Sequence, residues 1–432
     1  MKIVIAGAGL AGLAAGVWLK DAGHQVEIYE ASSRAGGRAL TLKAPDTDDI
    51  VDVGTQYFHS NYRRALALIK RVGLDGELSK VKGRTRFFDD RVKAGSFTTG
   101  HKLPYIAAGS LMANLVMTLK GAFRCASNWI DPYAVLADTP IDRIPAGKAV
   151  PEPFEWEFGA RALIAAGALV EPEASSVSYL HLIRLMRIVV MTDYLTLNNG
   201  VASLHRRLAE ELDIHYNSPV EKLVVDRDCI KGVRFADGPE RVADHTIIAT
   251  PPAEAANILP EDWSHERAFL TSIKHPPAIV VTLFLNHPLE EGTWSYVFRP
   301  SPHRLVSFCV DASQKNEKMM QSKNAALQAW ICSPASEELL ALDDSEILNR
   351  VLREISEEFS LRSQNLLHVH VHKVPNAVPL MDVGHNERAL KFLQQINQRP
   401  GIDLCGDYLS GGYMECALWS AEQAVKRFVP DG

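Results

Sequence analysis

Residues 1–30 read MKIVIAGAGLAGLAAGVWLKDAGHQVEIYE. Residues 2–6 are a short apolar, β-branched run and read as a buried strand. Residues 11–22 read as a helix, and 25–30 as a second strand that ends at Glu30. Between the first strand and the helix stand Gly7, Gly9 and Gly12. Each glycine has a physical task in that context: Gly7 permits a tight turn, Gly9 lets the backbone approach a pyrophosphate, and Gly12 lets helix and strand pack closely. The free amides at the helix start, at Leu10 and Ala11, favour a phosphate. Glu30 lies 18 residues past Gly12, where an acid can accept the hydroxyls of an adenosine ribose. Lys2 and the apolar run after it could pass for a secretory leader. The glycine spacing, Lys20, Asp21 and the strand pattern at 25–29 argue against that reading.

The glycine motif alone does not choose between dinucleotides. The next residues do, reading ASSRAGGRALT from Ala31. Arg34 and Arg38 bracket Gly36 and Gly37 just after Glu30 and Ala31. A guanidinium here could reach the pyrophosphate, and the glycines could let the chain pass close to a bulky ring. The spacing E-x-x-x-R-x-G-G-R points to FAD.

Composition agrees with a packed globular core. The chain has 432 residues, 47% hydrophobic and 23% charged, which is ordinary for a globular protein of two or three domains. Net charge is −6 and no long basic run occurs, so nucleic acid is not an expected partner. The six cysteines are scattered without a C-x-x-C, which suits a reducing compartment such as the cytoplasm and argues against a disulfide framework or a zinc site. No run of 18 or more uncharged apolar residues suggests a membrane span. Residues 103–124 are markedly apolar, and read either as a buried helix, as the lining of a greasy substrate tunnel, or as a patch touching a membrane surface.

Further along, residues 61–73, 155–170 and 178–192 show helical periodicity. Asn199-Gly200 marks a turn before a helix to Leu212. Short strands are expected within 214–228, 229–238 and 245–252, with a hairpin signal at Asp237-Gly238. Segments 278–286, 294–298, 304–311 and 326–332 read as successive strands, 337–359 as one amphipathic helix, and 366–374 as another strand. The chain is α/β (α+β overall). A Rossmann-like FAD-binding domain is expected from residues 1–75, 200–260 and 395–432. An inserted mixed-sheet and helical substrate domain is expected from 76–199 and 261–394, with a helical subdomain near 100–195.

The strings GAGLAGLAAGVWL and EIYEASSRAGGRALT resemble the superfamily of flavin-dependent amine oxidases, protoporphyrinogen oxidases and carotenoid (phytoene) desaturases. The resemblance continues at VDVGTQYFH (51–59), LTLNNGVASLHRRL (195–208), NSPVEKLVVD (217–226) and CGDYLSGGYMECALWSAEQAV (405–425). It implies a non-covalent FAD lying extended, with its flavin facing the substrate domain. By that likeness Gly54, Thr55 and Gln56 run past the flavin, and Val220 meets adenine through its backbone. Gly406 and Asp407 stand at the ribityl or pyrophosphate region, and Met414, Glu415 and Ala417 at the pyrimidine edge. Tyr413 matches an aromatic residue on the substrate side of the flavin. Cys416 departs from the superfamily's usual glycine, and the turn before it is shorter than in the amine oxidases.

No Ser/His/Asp set, glycosidase-type acid pair or H-E-x-x-H occurs. His368, His370 and His372 alternate along a strand, which suits a polar face better than a metal site. Lys274 is a candidate for a lysine near the flavin, or simply a solvated residue. The expected reaction is removal of a hydride from a hydrophobic or cyclic substrate, with oxygen or a quinone as acceptor. Oxidation of a C–N bond and a non-redox use of FAD are the alternatives.

Overall fold

The computed structural model describes residues 1–88, 96–99, 131–137, 139–149, 161–170, 176–190, 192–299, 304–322 and 324–429. The apolar stretch 103–124 lies outside them. A five-stranded parallel sheet forms around Lys2–Ala6. Numbered by their order in the chain, its strands run 3-2-1-4-5: Asp213–His215, Gln25–Tyr29, Lys2–Ala6, His245–Ile248 and Ile402–Leu404. The strand order reverses beside Lys2–Ala6, and a crevice opens at such a point beyond the carboxyl ends of the strands. Gly7 lies there against the backbone of Ala249, at the end of the neighbouring strand.

Helix Leu10–Asp21 follows the glycine turn. Its Leu13, Ala14 and Val17 share a core with Leu418, Ala421 and Val425 of helix Met414–Val425. Apolar burial therefore fixes the last helix against the first. Helix Arg63–Arg71 ends before Gly73, whose φ of +71° suits glycine. Three antiparallel strands, Val220–Asp226, Cys229–Phe235 and Glu240–Val242, form a small separate sheet.

The larger sheet has seven strands, in the order Leu366–Val374, Ala278–Leu285, Ala325–Ile331, Phe308–Asp311, Thr293–Phe298, Arg84–Phe88 and Ser96–Thr99. All pairs are antiparallel except Thr293–Phe298 with Arg84–Phe88. One face packs Ile279, Val281 and Leu327 on Ile347, Val351 and Ile355 of helix Asp344–Ile355. The other face, with Val280, Trp294 and Trp330, packs toward helix Tyr179–Val190.

Three boundaries differ from the expectation. Residues 337–359 form two helices, Ala335–Leu339 and Asp344–Ile355. Asp343 starts the second by accepting the Glu346 amide at 2.8 Å, an N-cap that overrides the continuous apolar period. The helix after Gly200 is Ala202–Ala209, shorter than its pattern. Of the segment 304–311, only Phe308–Asp311 is paired as a strand.

Candidate FAD and substrate site

A cavity of about 690 Å³ opens at the crevice and runs to the aromatic face of the seven-stranded sheet. Gly7, Gly9, Leu10 and Ala11 line its near end. Gly9 is the N-cap of the first helix and offers no side-chain cap. A Cβ placed on it would meet nothing within 4 Å, so the helix start faces open space. Gly12 is not on the lining. A Cβ there would collide with the Gly7 carbonyl, so its role is the close packing expected of the third glycine.

Glu30 and Ala31 line the same end. The Glu30 carboxylate accepts the Ala8 amide at 2.7 Å and the Ser32 amide at 2.9 Å. Both oxygens are thereby held at the cavity wall, where a ribose hydroxyl could reach their remaining lone pairs. Gly36 and Gly37 have φ of +107° and +54°. A Cβ on Gly37 would lie 3.5 Å from Gly9 Cα, so the glycine pair passes close to the first turn. Val220 lines the cavity from the small sheet.

Both arginines line the cavity, and each is already held by protein partners. Arg34 lines the cavity, but its guanidinium donates to the Gly37 and Ala39 carbonyls at 2.7 and 3.0 Å. It ties its own loop together rather than extending free toward a pyrophosphate. Arg38 forms a 2.8 Å ion pair with Asp407, donates to the Ala377 carbonyl at 2.9 Å, and approaches His275 at 3.3 Å. Burial pushes His275 down to about 4, so it faces Arg38 uncharged. Residues 369 positions apart in sequence are joined here, because Gly406 and Asp407 follow the last parallel strand.

Gly54, Thr55 and Gln56 all line the cavity. Gly54 crosses so close to the Arg38 carbonyl that a Cβ would collide with it. Gln56 is held from behind by Lys315, whose ammonium donates to its Oε1 at 2.8 Å. Lys315 is fully buried, 3.9 Å from the Asp52 carboxylate. Burial pushes Lys315 down and Asp52 up, and each one's charge opposes the other's shift. Sequence reasoning missed Lys315, because nothing in the DASQK string marks its contact with residues 52–56. Lys274, the candidate drawn from sequence, is exposed.

Tyr413, Met414 and Ala417 line the cavity at the start of the last helix, whereas Glu415 does not. The Glu415 carboxylate turns the other way and accepts the Arg64 and Ala65 amides at 2.8 and 3.1 Å. Its side chain therefore caps helix Arg63–Arg71 rather than meeting a pyrimidine edge, since i and i+1 on a helix face different directions. Cys416 sits in the first helical turn with an ordinary backbone. Burial pushes its thiol up to about 12, which leaves it no nucleophilic thiolate.

The far end of the cavity is aromatic. Tyr57, Tyr194, Trp294, Phe308, Trp330 and Tyr413 line it. Tyr57 and Tyr194 have centroids 4.7 Å apart, Tyr194 and Trp294 5.8 Å, and Phe308 and Trp330 5.5 Å. Burial pushes His59, in the same wall, down to about 3 and Tyr57 up to about 12, so both are neutral. Among the described residues no carboxylate, guanidinium or ammonium lines this end. The Trp294 and Trp330 positions were not singled out in sequence. Alternation in apolar strands does not tell which buried face borders a cavity.

The residues present fit an elongated dinucleotide with a ring system at its far end. Thr250, on the turn beyond strand His245–Ile248, lines the wall, and its buried hydroxyl has no partner among the described residues. A profile of the family described as flavin containing amine oxidoreductase matches residues 10–428. The chain belongs to that family. Like its relatives, this flavin amine oxidoreductase is an FAD-dependent oxidoreductase. It is 25% identical to the 15-cis-phytoene desaturase of Capsicum annuum, across 100% of this chain and 78% of the desaturase. Its fold matches a putrescine oxidase solved with putrescine bound, with TM-score 0.78, 17% identity and full coverage of both chains. It also matches cyclohexylamine oxidase from Brevibacterium oxydans, with TM-score 0.75 and 18% identity over 99% of this chain and 98% of that one. Among the described residues no helix is long and apolar enough to cross a membrane. No cluster of three or more His, Cys, Asp or Glu among them could hold a metal ion. His368 instead pairs with Asp46 at 2.7 Å.

Proposed function

We propose that this chain oxidises a neutral, largely apolar or cyclic substrate, in a dehydrogenase (desaturase) or oxidase reaction. The observation that carries this reading is the aromatic end of the cavity, where no described residue supplies a counter-charge for an ionised substrate. The full-length likeness to a phytoene desaturase supports it. Residues 1–75, 200–260 and 395–432 would hold the cofactor, and 76–199 and 261–394 the substrate. Gly7, Gly9, Leu10, Ala11 and Glu30 would hold the ADP half. Gly54 to Gln56, Arg38–Asp407, Met414 and Ala417 would hold the flavin half.

When bound, FAD supplies a two-electron acceptor for a substrate C–H bond. The protein supplies orientation and a dry wall. Tyr57, Tyr194, Trp294 and Phe308 exclude water and present ring faces to an apolar substrate. Lys315 fixes the Gln56 carboxamide, and Arg38 fixes Asp407, so these polar groups are positioned before a ligand arrives. His59 is neutral at physiological pH and offers no proton. The electron acceptor in this reading is dioxygen or a quinone.

Anaerobic mixing of the FAD-loaded protein with neutral terpenoids, cyclic ketones and amines tests the reading. Bleaching of the visible flavin band by neutral compounds is expected, followed by recovery on admitting air or a quinone. Bleaching by amines alone would replace it with C–N oxidation, a reading that two tyrosines on the cavity wall, Tyr57 and Tyr413, would suit. Product formation without bleaching would mean a non-redox use of FAD.

A further inference from the structure

His59 is 3% exposed and lines the aromatic end of the cavity. Its Nδ1 lies 2.8 Å from the Thr192 hydroxyl oxygen. That hydroxyl has a single hydrogen, which it donates to the Ile188 carbonyl. Toward His59 the hydroxyl can therefore only accept, so Nδ1 carries the ring proton. Nε2 is left as an acceptor with a lone pair. Among the described residues none donates to it. Nor is it closed off. The Trp330 indole nitrogen and the Tyr413 hydroxyl are occluded within the wall, whereas His59 Nε2 is not. The two nitrogens of an imidazole point nearly opposite ways, so Nε2 turns away from Thr192. The ring is boxed by Tyr57, Tyr62 and Tyr194, with centroids 5.5, 5.0 and 5.0 Å away, and all three line the cavity.

A neutral imidazole accepts a hydrogen bond at its bare nitrogen and cannot donate there. Burial holds His59 down at about 3, so it keeps that form at physiological pH. A buried acceptor left unanswered costs about 1–3 kcal/mol. A pure hydrocarbon in this end would leave Nε2 unanswered. A carbonyl or ether oxygen would set lone pair against lone pair. An ammonium would donate, but among the described residues no carboxylate lines this end to offset its charge. A neutral hydroxyl donates without that cost.

We propose that the substrate carries a neutral hydroxyl on an otherwise apolar skeleton, and that this hydroxyl donates to His59 Nε2. This rests on the reading of a neutral, largely apolar substrate and narrows it. His59 is then a specificity-determining residue, set in its tautomer by Thr192, that separates alcohols from ketones and hydrocarbons of the same shape.

The test uses carveol, carvone and limonene, which share one cyclic skeleton and carry a hydroxyl, a carbonyl and no oxygen. Each is titrated by calorimetry into the FAD-loaded protein, reduced and kept under argon so that no turnover occurs. Carveol should bind about tenfold more tightly than either of the others, the value of one satisfied hydrogen bond. His59→Phe should lower carveol affinity to that of limonene and leave limonene within about twofold. Independently of that variant's folding, nitrogen-15 spectra of the histidine rings in the unsubstituted protein should show one ring protonated at Nδ1 whose Nε2 signal moves upfield with carveol and not with limonene. Carveol bound no more tightly than carvone or limonene, an advantage that survives in His59→Phe, or no movement of such an Nε2 signal overturns the proposal while leaving the apolar reading standing. Binding of none of the three overturns both.

Discussion

Gly9 and Gly12 show how one motif divides its tasks between residues. Gly9 borders open cavity, whereas Gly12 touches the Gly7 carbonyl and the Ala249 side chain. Gly12→Ala should destabilise the protein by about 1–3 kcal/mol, because the Gly7 carbonyl on one side and the short Ala249 methyl on the other cannot give way. Gly9→Ala should leave the stability of the FAD-free protein within about 0.5 kcal/mol but lower its FAD affinity. Urea unfolding and FAD titration of the two variants separate these outcomes. Glu30→Ala should yield pale protein on purification, read as FAD per chain, because it removes the acceptor held by the Ala8 and Ser32 amides. The glycines and Glu30 were legible because their spacing within one strand–turn–helix–strand unit is set by local geometry. Lys315 and Trp330 were not, because their meaning depends on what the rest of the chain brings to them.

At the scale of elements, the start of helix Arg63–Arg71 is held by a residue more than 300 positions away. Tyr62 gives it no side-chain cap, and Glu415 accepts its second and third amides instead. Glu415→Ala should therefore cost about 1–3 kcal/mol, as buried amides and the Arg64 guanidinium lose their acceptor. Differential scanning calorimetry should show the loss, with FAD per folded chain unchanged. Periodicity located most helices and strands here, since apolar spacing is a property of the segment itself. It merged Ala335–Leu339 with Asp344–Ile355 because the Asp343 cap is a local hydrogen bond that the hydrophobic period does not record.

For the molecule as a whole, the cofactor cavity joins the first strand to the last helix, so ligand and fold should be coupled. FAD at about 100 times its dissociation constant should add about 2.7 kcal/mol to stability, seen as a higher melting temperature on adding FAD to the stripped protein. Acid should act on the whole fold. Burial lowers His59 and His181 to about 3, and His205, His275 and His385 to about 4, from an ordinary value of 6.5. Each folded-state value lies below the unfolded one, so these groups contribute fully above about pH 6.5, and the contribution is lost as pH falls toward 4. The slope is at most about 1.4 kcal/mol per pH unit for each histidine. Asp311, pushed up to about 6 by burial, and Asp52, Asp142 and Glu415, which burial also raises, act in the opposite direction as pH falls and offset part of this. The urea midpoint should fall between pH 7 and 5, and His181→Phe should make that fall shallower by about one histidine's share.

Likeness to the superfamily put residues 405–425 beside the first glycine turn; the sequence by itself determined the strand–turn–helix–strand unit, the glycine turn and its acid. These follow from short-range spacing and apolar period, which a linear string carries in full. Only the tertiary structure decided which way side chains face once elements pack. Adjacent residues on the last helix part company, with Met414 and Ala417 toward the cavity and Glu415 toward a distant helix end. Arg34 folds back on its loop while Arg38 reaches Asp407. Trp330 keeps an indole donor with no partner among the described residues. Such directions depend on contacts between segments hundreds of residues apart, and no local spacing encodes them.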